Sequence, residues 1–302
     1  MCLYKYTSAD VAIQVLSESQ IRFTQPHAFN DPFDSFPCVE DLLPKEQILS
    51  IMNETEIGNL VAKQFYPTVL KTYYSTPPEQ RGGMSFEQFE SFAIKLLNVN
   101  WQGFLDIIHH ESTINQLKQS TQDLAMPLLW EQVGILSLSK KNNDLLMWSY
   151  YADSHKGVVF GFNADHHFLS HKDATRLYWS GEVEYVESRP SLEIIPDQSD
   201  PSRVLKELFY FKYELWKHEQ EYRVVRLLRE SKSVTKNGSP YPIYLFDFPP
   251  DMITSITFGC RINAANKNRI FELIKTRKEY EHITLHEALP DRRSYKLSVN
   301  KL

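Results

Sequence analysis

Hydrophobic and polar positions follow two different periods along this chain, and the two periods separate predicted strands from predicted helices. Alternating or unbroken apolar runs predict strands in LYKYTS, QIRFTQP, VGILSLS, GVVFGFN, SGEVEYVE, EYRVVRLL, YPIYLFDF, ITSITFGC and ITLHEALP. Apolar positions three or four residues apart predict helices in TSADVAIQVLSES, LLMWSYYA, PSRVLKELFYFKYELWKHEQE and NAANKNRIFELIKTRKEY. Thr7 with Asp10 fits a helix cap, and Asn263 fits another. The mixture predicts an α+β fold, in which helices flank a mixed, mostly antiparallel sheet.

Helical spacing dominates residues 41–131, in contrast to the strand-rich segments before and after them. The intervening STPPEQRGGMS reads as a flexible link between helices. We therefore predict one domain over residues 1–302, with a helical insertion at 41–131 that serves either as a lobe over a site or as a packing layer.

Composition and charge narrow the possible partners. The 302 residues are 42% hydrophobic, 13% aromatic and 24% charged, and the net charge of −5 does not indicate a nucleic-acid partner. No apolar run reaches the ~18 residues that a membrane span requires, and we expect no membrane partner. Cys2, Cys38 and Cys260 are too widely spaced for a zinc motif, so we expect no metal. Sparse cysteines and the absence of a signal peptide predict a cytoplasmic protein.

Familiar catalytic fingerprints are missing from the sequence. It contains no G-x-G-x-x-G, no phosphate-binding G-x-x-x-x-G-K-[ST], no G-x-S-x-G and no H-E-x-x-H. Candidate chemistry therefore has to come from polar clusters beside the predicted strands.

Four stretches carry more polar and aromatic groups than packing requires, and each has a structural alternative. Tyr4, Lys5 and Tyr6 could simply form an edge strand, and FNDPFD a rigid turn. Ser137 and Ser139 project from one face of a strand. Trp148, Tyr151, His155 and Lys156 lie in or just after the predicted helix LLMWSYYA. Glu219, Glu221 and Arg223 lie where a later predicted helix gives way to the strand EYRVVRLL.

Spacing gives these later candidates a possible arrangement. Trp148 and Tyr151 share a helical face, which His155 joins if the helix continues. Glu219 and Glu221 project to one side if their backbone is extended. A structural histidine and a solvated strand start, with Arg223 paired to Glu221, are the alternatives.

Several of these motifs resemble the DUF2971 family of bacterial proteins of uncharacterised function. The specific blocks are MWSYYADSHKGVVFGF and FNDPFD, supported by LYKYTS, WKHEQEYRVV and ITFGCRI. The resemblance covers both ends of the chain, skips the helical region, and implies no activity.

The chain is also distantly similar to the ADP-ribosyltransferase-like fold. In that fold a His, Arg or Tyr on an early strand, a Ser-x-Ser on a middle strand and a Glu-x-Glu on a late strand surround NAD. Here the corresponding segments are Tyr4-Lys5-Tyr6, Ser137-Leu138-Ser139 and Glu219-Gln220-Glu221, in that order. The similarity implies NAD as substrate, with no metal.

Roles follow from this resemblance. Glu221 would stabilise an oxocarbenium-like ribose, and Glu219 would orient an acceptor. The remaining candidates would contact the ligand's ribose, carboxamide, rings or diphosphate: Tyr4, Lys5, Tyr6, Ser137, Ser139, Trp148, Tyr151, His155, Lys156 and Arg223.

Three functions remain open at this point. The first is ADP-ribose transfer or NAD hydrolysis, with a macromolecular acceptor and a toxin or phage-defence setting. The second is a nucleotide- or peptide-binding sensor that reports occupancy to a partner protein. The third is a nuclease or other hydrolase that uses Asp153, His155 and the glutamates.

Overall fold

A computed structural model describes residues 2–39, 69–99, 115, 118–119, 123, 126–172, 178–192, 201–235 and 241–302. The chain divides into two compact units. The larger unit comprises Met1–Cys38, Leu124–Leu192 and Asp200–Leu302, and the smaller comprises Val39–Asp123 and Glu193–Ser199. Much of the predicted insertion at 41–131 lies outside the described residues, so the insertion stays a prediction.

Strands and helices alternate irregularly in the described residues. The strands are β1 (Cys2–Thr7), β2 (Gln20–Phe23), β3 (Cys38–Val39), β4 (Val133–Ser139), β5 (Val158–Asn163), β6 (Trp179–Glu182), β7 (Glu184–Val186), β8 (Ser191–Leu192), β9 (Phe211–Tyr213), β10 (Glu221–Leu227), β11 (Ser233–Thr235), β12 (Ile243–Asp247), β13 (Ile253–Phe258), β14 (Thr284–Pro290) and β15 (Leu297–Lys301). The helices are α1 (Ala9–Glu18), α2 (Phe86–Val99), α3 (Met126–Gln132), α4 (Leu145–Tyr151), α5 (His167–Ser170), α6 (Pro201–Phe209) and α7 (Ala264–Thr276). None of these helices combines the length and apolar character needed to cross a bilayer.

The main sheet has eight strands in the order β15-β14-β13-β5-β1-β4-β10-β6. Strands β13 and β14 are parallel, and the other neighbouring pairs are antiparallel. A second sheet, β11-β12-β2, is antiparallel. The predicted α+β fold with a mixed, mostly antiparallel sheet is therefore confirmed.

The main sheet opens between two neighbouring strands, β1 and β4. β1 pairs with β5 along six residues, but with β4 only where Tyr4 lies opposite Ser139. Beyond that pair, side-chain hydrogen bonds take the place of the backbone hydrogen bonds that would join the two strands. Lys5 donates from Nζ to the Ser137 carbonyl at 3.0 Å, and the Tyr6 hydroxyl donates to the Lys141 carbonyl at 2.8 Å. The separation creates space inside the sheet.

Apolar packing fixes the two strands on either side of this opening. Helices α1 and α7 cover one face of the sheet, where Leu16 and Ile270 are completely buried. On the far side of the opening, Phe209 from α6 and Val225 from β10 belong to a second buried cluster. Leu3 of β1 and Leu136 of β4 both belong to the first cluster, so a shared core holds the two strands although few backbone hydrogen bonds join them.

Three local predictions need correction. Ser8, not Thr7, caps α1, because its hydroxyl accepts from the Val11 amide at 3.3 Å. SGEVEYVE forms two strands, since β6 pairs with β10 while β7 pairs with β9. The helix predicted from residue 201 to residue 221 ends at Phe209, and a short strand and the 3-10 helix Glu214–Glu219 follow it.

The smaller unit is helical where the structure describes it. Residues 69–75 and α2 are α-helical, and a 3-10 turn spans Pro78–Arg81. Tyr73 links these segments, since its ring lies 5.3 Å from that of Phe86 and 4.3 Å from the Arg81 guanidinium. The unit therefore has its own aromatic contacts.

Candidate functional site

A cavity of about 330 Å³ lies where β1 and β4 separate, within the larger unit. Its size falls at the lower end of the ~300–1,000 Å³ typical of small-molecule sites. Five parts of the chain contribute: β1, β2 with the loop after it, β4, α4, and the segment from β9 to β10. The lining residues are Tyr4, Lys5, Tyr6, Arg22, Thr24, Ala28, Phe29, Asn30, Asp34, Ile135, Ser137, Leu138, Ser139, Met147, Tyr151, Lys212, Glu219 and Glu221.

Three predicted site residues lie side by side across adjacent strands. Ser139 on β4 is opposite Tyr4 on β1 and also opposite Glu221 on β10. All three line the cavity, together with the predicted Lys5 and Ser137. The structure thus brings the early, middle and late motifs into one place, although they are far apart in the sequence.

Lys212 joins three carboxylates beneath the cavity. Its Nζ lies 2.6 Å from Glu219, 3.0 Å from Glu221 and 3.5 Å from Asp34. All four side chains are at most 5% exposed. Carboxylates that are buried so completely require neighbouring cations to balance their charge. Lys212 is one of the two cations that pair with them among the described residues.

Arg223 is the second cation, and it is completely buried. Its guanidinium binds both oxygens of Glu221, through Nε at 2.8 Å and through a terminal nitrogen at 3.0 Å. It also donates to Asp34 at 2.7 Å and to the Phe209 carbonyl at 2.7 Å. This bidentate arrangement fixes the Glu221 carboxylate rigidly.

The charges in this network shift the pKa values strongly. Burial alone would raise the pKa of Glu221, but the positive charges of Arg223 and Lys212 outweigh it and hold that pKa far below its ordinary value. Burial would likewise lower the pKa of Lys212, but Glu221 and Asp34 raise it well above normal. Both groups therefore stay ionised throughout the physiological pH range.

Glu219 is less heavily bonded than Glu221. One of its oxygens accepts from the Tyr151 hydroxyl at 2.7 Å, and the other accepts from Lys212. Asn30 in turn donates to the Tyr151 hydroxyl at 3.3 Å. Burial, followed by the charge of Glu219, raises the pKa of Tyr151, so this phenol remains a proton donor at neutral pH.

The two glutamates meet by a different backbone path from the one predicted. Glu219 ends a 3-10 helix, Gln220 has a left-handed conformation with φ of 44°, and Glu221 begins β10. The prediction of a continuous extended Glu-x-Glu was therefore wrong. A left-handed turn brings both carboxylates to Lys212, and Ser139 supports it by donating to the Glu219 carbonyl at 2.6 Å.

Two further cations, Lys5 and Arg22, line the cavity without an ion pair to any carboxylate of the described residues. Lys5 donates only to the Ser137 carbonyl, and Arg22 makes no hydrogen bond or ion pair within the described part of the chain. The Nε of Arg22 is buried and unsatisfied. Burial lowers the pKa of Lys5 to about 8, partly offset by Glu221 and reinforced by Arg22.

Four predicted ligand contacts do not line the cavity. Trp148 is completely buried, and its indole donates to the Asn142 carbonyl at 2.8 Å. Arg223 lies beneath the carboxylates, with its donors used by protein groups, and Lys156 is exposed elsewhere on the surface. His155 stacks on Trp148 with ring centroids 6.1 Å apart. These positions correct the prediction that all four contact the ligand.

A left-handed turn explains why His155 and Tyr151 separate. Helix α4 ends at Tyr151, and Asp153, Ser154 and His155 have φ values of 46°, 53° and 69°. Such backbone costs about 1–2 kcal/mol per non-glycine residue, so surrounding contacts must hold it. The His155 carbonyl accepts from the Arg261 amide at 3.0 Å, and Gly259 leaves it space. The turn therefore anchors the end of α4.

Sequence reasoning missed four residues of the site. The helical pattern of residues 201–221 includes Lys212, and Arg22 lies in the predicted strand QIRFTQP without a functional motif around it. Asp34 and Asn30 lie in the segment FNDPFD, which the sequence predicts as a turn, but both residues line the cavity. The available signal was the alternation of QIRF, which places Arg22 opposite the buried Ile21 and Phe23.

Metal coordination is not apparent in the described residues. They include no group of three or more His, Cys, Asp or Glu side chains placed to hold an ion. The carboxylates of the cavity bind Lys212 and Arg223 instead.

Comparison with known proteins identifies part of the chain. Residues 147–224 match the model of a family described as a protein of unknown function (DUF2971). No curated protein and no solved structure matches the chain. The matched range includes MWSYYADSHKGVVFGF and the Glu219–Glu221 turn, whereas LYKYTS and FNDPFD lie outside it. This match over residues 147–224 supports the resemblance to the DUF2971 family that the motifs indicated.

Proposed function

We propose that the cavity between β1 and β4 binds a nucleotide such as NAD and cleaves the bond between nicotinamide and ribose. The ADP-ribose is then passed to water or to a macromolecular acceptor. The observation that carries this proposal is the alignment of Tyr4, Ser139 and Glu221 on three neighbouring strands around one cavity. The order of motifs along the ADP-ribosyltransferase-like fold supports the same assignment.

The chemistry assigns each carboxylate a role. Loss of nicotinamide leaves positive charge on the ribose, and a fixed carboxylate lowers the energy of that state. Glu221 is held ionised and rigid by Arg223 and Lys212, so it needs no reorganisation during the reaction. Glu219 keeps unused acceptor capacity and can orient an attacking hydroxyl. Tyr4 and Tyr151 replace Trp148 as the aromatic groups beside the ligand.

The first experiment follows nicotinamide release from NAD by the purified protein, alone and with cell lysate. Glu221→Gln should lower the turnover number about 10²–10³-fold, as the loss of one preorganised electrostatic group does. Glu182→Gln is the control, because this exposed carboxylate on β6 pairs only with Lys140 among the described residues. Unfolding curves for both variants separate a chemical loss from a folding loss. Release that is absent from the wild type, or unchanged in Glu221→Gln, refutes the reaction.

The acceptor and the setting need a second experiment. Labelled NAD incubated with lysate should transfer label to protein or nucleic acid if an acceptor exists, and only free ADP-ribose should appear if water is the acceptor. For the toxin or phage-defence setting, we expect bacterial expression to lower cellular NAD and to slow growth. Glu221→Gln should abolish both effects, and equal slowing by that variant would contradict the setting.

Binding without turnover is the second candidate function. The observation that favours it is that both oxygens of Glu221 are already bonded to cations. A carboxylate so neutralised offers less charge to a developing oxocarbenium ion. This nucleotide sensor predicts saturable NAD binding by calorimetry with no nicotinamide release. Release that exceeds the uncatalysed rate and depends on Glu221 excludes it.

A further inference from the structure

We infer that Lys5 and Arg22 form a subsite for a phosphoryl anion in the cavity between β1 and β4. Because it names the chemical group that this cavity recognises, the assignment rests on the proposed function. Arg22 was absent from every sequence-based assignment, and neither residue lies in the range that matches the family.

Geometry places the two cations together on one side of the cavity. Lys5 comes from β1 and Arg22 from β2, and both side chains line the cavity with Thr24 and Ser137. Each repels the other, as the contribution of Arg22 to the pKa of Lys5 shows. Both side chains are half-buried, and an anion between two neighbouring cations with reduced hydration stabilises them.

None of the carboxylates of the cavity forms an ion pair with Lys5 or Arg22 among the described residues, although Glu221 and Glu219 act on Lys5 at longer range. Asp34 and Glu221 are bonded to Arg223, and Glu219 is bonded to Lys212. Four cations (Lys5, Arg22, Lys212 and Arg223) thus face three carboxylates (Asp34, Glu219 and Glu221) around the cavity, which leaves an excess of one positive charge. The buried, unsatisfied Nε of Arg22 adds a free donor of fixed direction. A guanidinium fork and an ammonium together match the oxygens and the double charge of a phosphoryl group.

Inorganic pyrophosphate is the direct probe, titrated into the full-length protein by calorimetry. Lys5→Met and Arg22→Met should each weaken binding at least about tenfold, since each removes a charge-assisted hydrogen bond. Lys156→Met is the matched control and should bind like the wild type, because Lys156 is exposed and outside the cavity. Acetate should bind far more weakly than pyrophosphate.

Proton uptake gives a second, independent readout. The titratable and charged groups that line the cavity with Lys5 are Tyr4, Tyr6, Arg22, Asp34, Tyr151, Lys212, Glu219 and Glu221. Of these groups, Lys5 has a pKa of about 8, and an anion bound beside it raises that pKa. Binding at pH 8 should therefore take up protons, measured in buffers of different ionisation enthalpy. Lys5→Arg should retain binding and lose the uptake.

Several outcomes would overturn the subsite. These are no pyrophosphate binding by the wild type, equal binding by the folded Arg22→Met protein, equal weakening in Lys156→Met, or acetate binding as tightly as pyrophosphate. Circular dichroism confirms folding, and Arg22→Lys replaces Arg22→Met if the latter unfolds, with weaker binding again expected. Nicotinamide release is not measured in this titration, so a failed NAD reaction and a failed anion subsite give different results.

Discussion

Replacing Lys212 with methionine removes the ammonium that three buried carboxylates share. Arg223 still pairs with Asp34 and Glu221, but Glu219 keeps only the hydroxyl of Tyr151. Breaking a buried ion pair by removing one partner costs about 3–5 kcal/mol. We therefore expect the free energy of unfolding of Lys212→Met to fall by that amount at pH 7.

Lys206→Met is the matched control for this substitution. Lys206 pairs with Glu184 at 2.5 Å, but the two side chains are 48% and 52% exposed. An exposed pair contributes about 0–1 kcal/mol, so this variant should unfold nearly like the wild type. Urea denaturation followed by tryptophan fluorescence measures both variants. A loss below about 1 kcal/mol in Lys212→Met, or equal losses in the two variants, would refute the stated role of the buried charge.

The pH dependence of the same variant tests the electrostatic origin of the loss. The pKa of Glu221 is depressed in the folded protein, so its ionisation stabilises the fold above the unfolded value of about 4.3 and loses this effect as the pH falls. Lys212→Met removes part of that depression. The difference between wild type and variant should therefore hold from pH 7 to about pH 4.3 and shrink as the pH falls further, through the depressed folded pKa. A constant difference would indicate lost packing instead of lost charge.

Three shorter predictions concern the surroundings of the network. Gly259→Ala should prevent stable folding, because its Cβ would lie 2.2 Å from the His155 carbonyl oxygen, and soluble yield with circular dichroism tests this. Ser139→Ala should lower stability by about 1–3 kcal/mol, since it leaves the Glu219 carbonyl without that donor, and denaturation measures the loss. Lys5→Met should gain stability over the wild type at pH 7. That gain should shrink by pH 10, because the folded pKa of about 8 lies below the unfolded value of about 10.4; equal gains at both pH values would contradict it.

The strand pattern predicted from the sequence extends to most of the main sheet. LYKYTS, VGILSLS and EYRVVRLL became β1, β4 and β10, and their adjacency explains why three separated motifs share a cavity. Periodicity reports which face of an element is buried, but not which strands become neighbours. The opening between β1 and β4 therefore could not be predicted from the sequence.

Residues 201–221 show where periodicity misleads. Leu205, Leu208 and Phe209 form an apolar stripe at helical spacing, and the sequence pattern predicts that this stripe continues to Leu215. Leu215 is 72% exposed, and the chain between Phe209 and Leu215 forms the strand β9 instead of a helix. Pairing of β9 with β7 and burial of Lys212 among carboxylates are tertiary interactions that override the local helical pattern.

The charged side chains around the cavity in the larger unit fall into two groups: those paired within the protein and those without an ion-pair partner among the described residues. Arg223 ties β10 to Asp34 in the loop after β2, and Lys212 ties β9 to both glutamates. These bonds would be needed to hold the loops in place whether or not a ligand binds. Lys5 and Arg22 hold no such loop, since their ionic partners are missing from the described residues. A charge that is paired within the protein argues only for folding, whereas a half-buried cation without an ion-pair partner argues for a ligand. Lys5 and Arg22 are thus stronger evidence for binding than the glutamates that first suggested it.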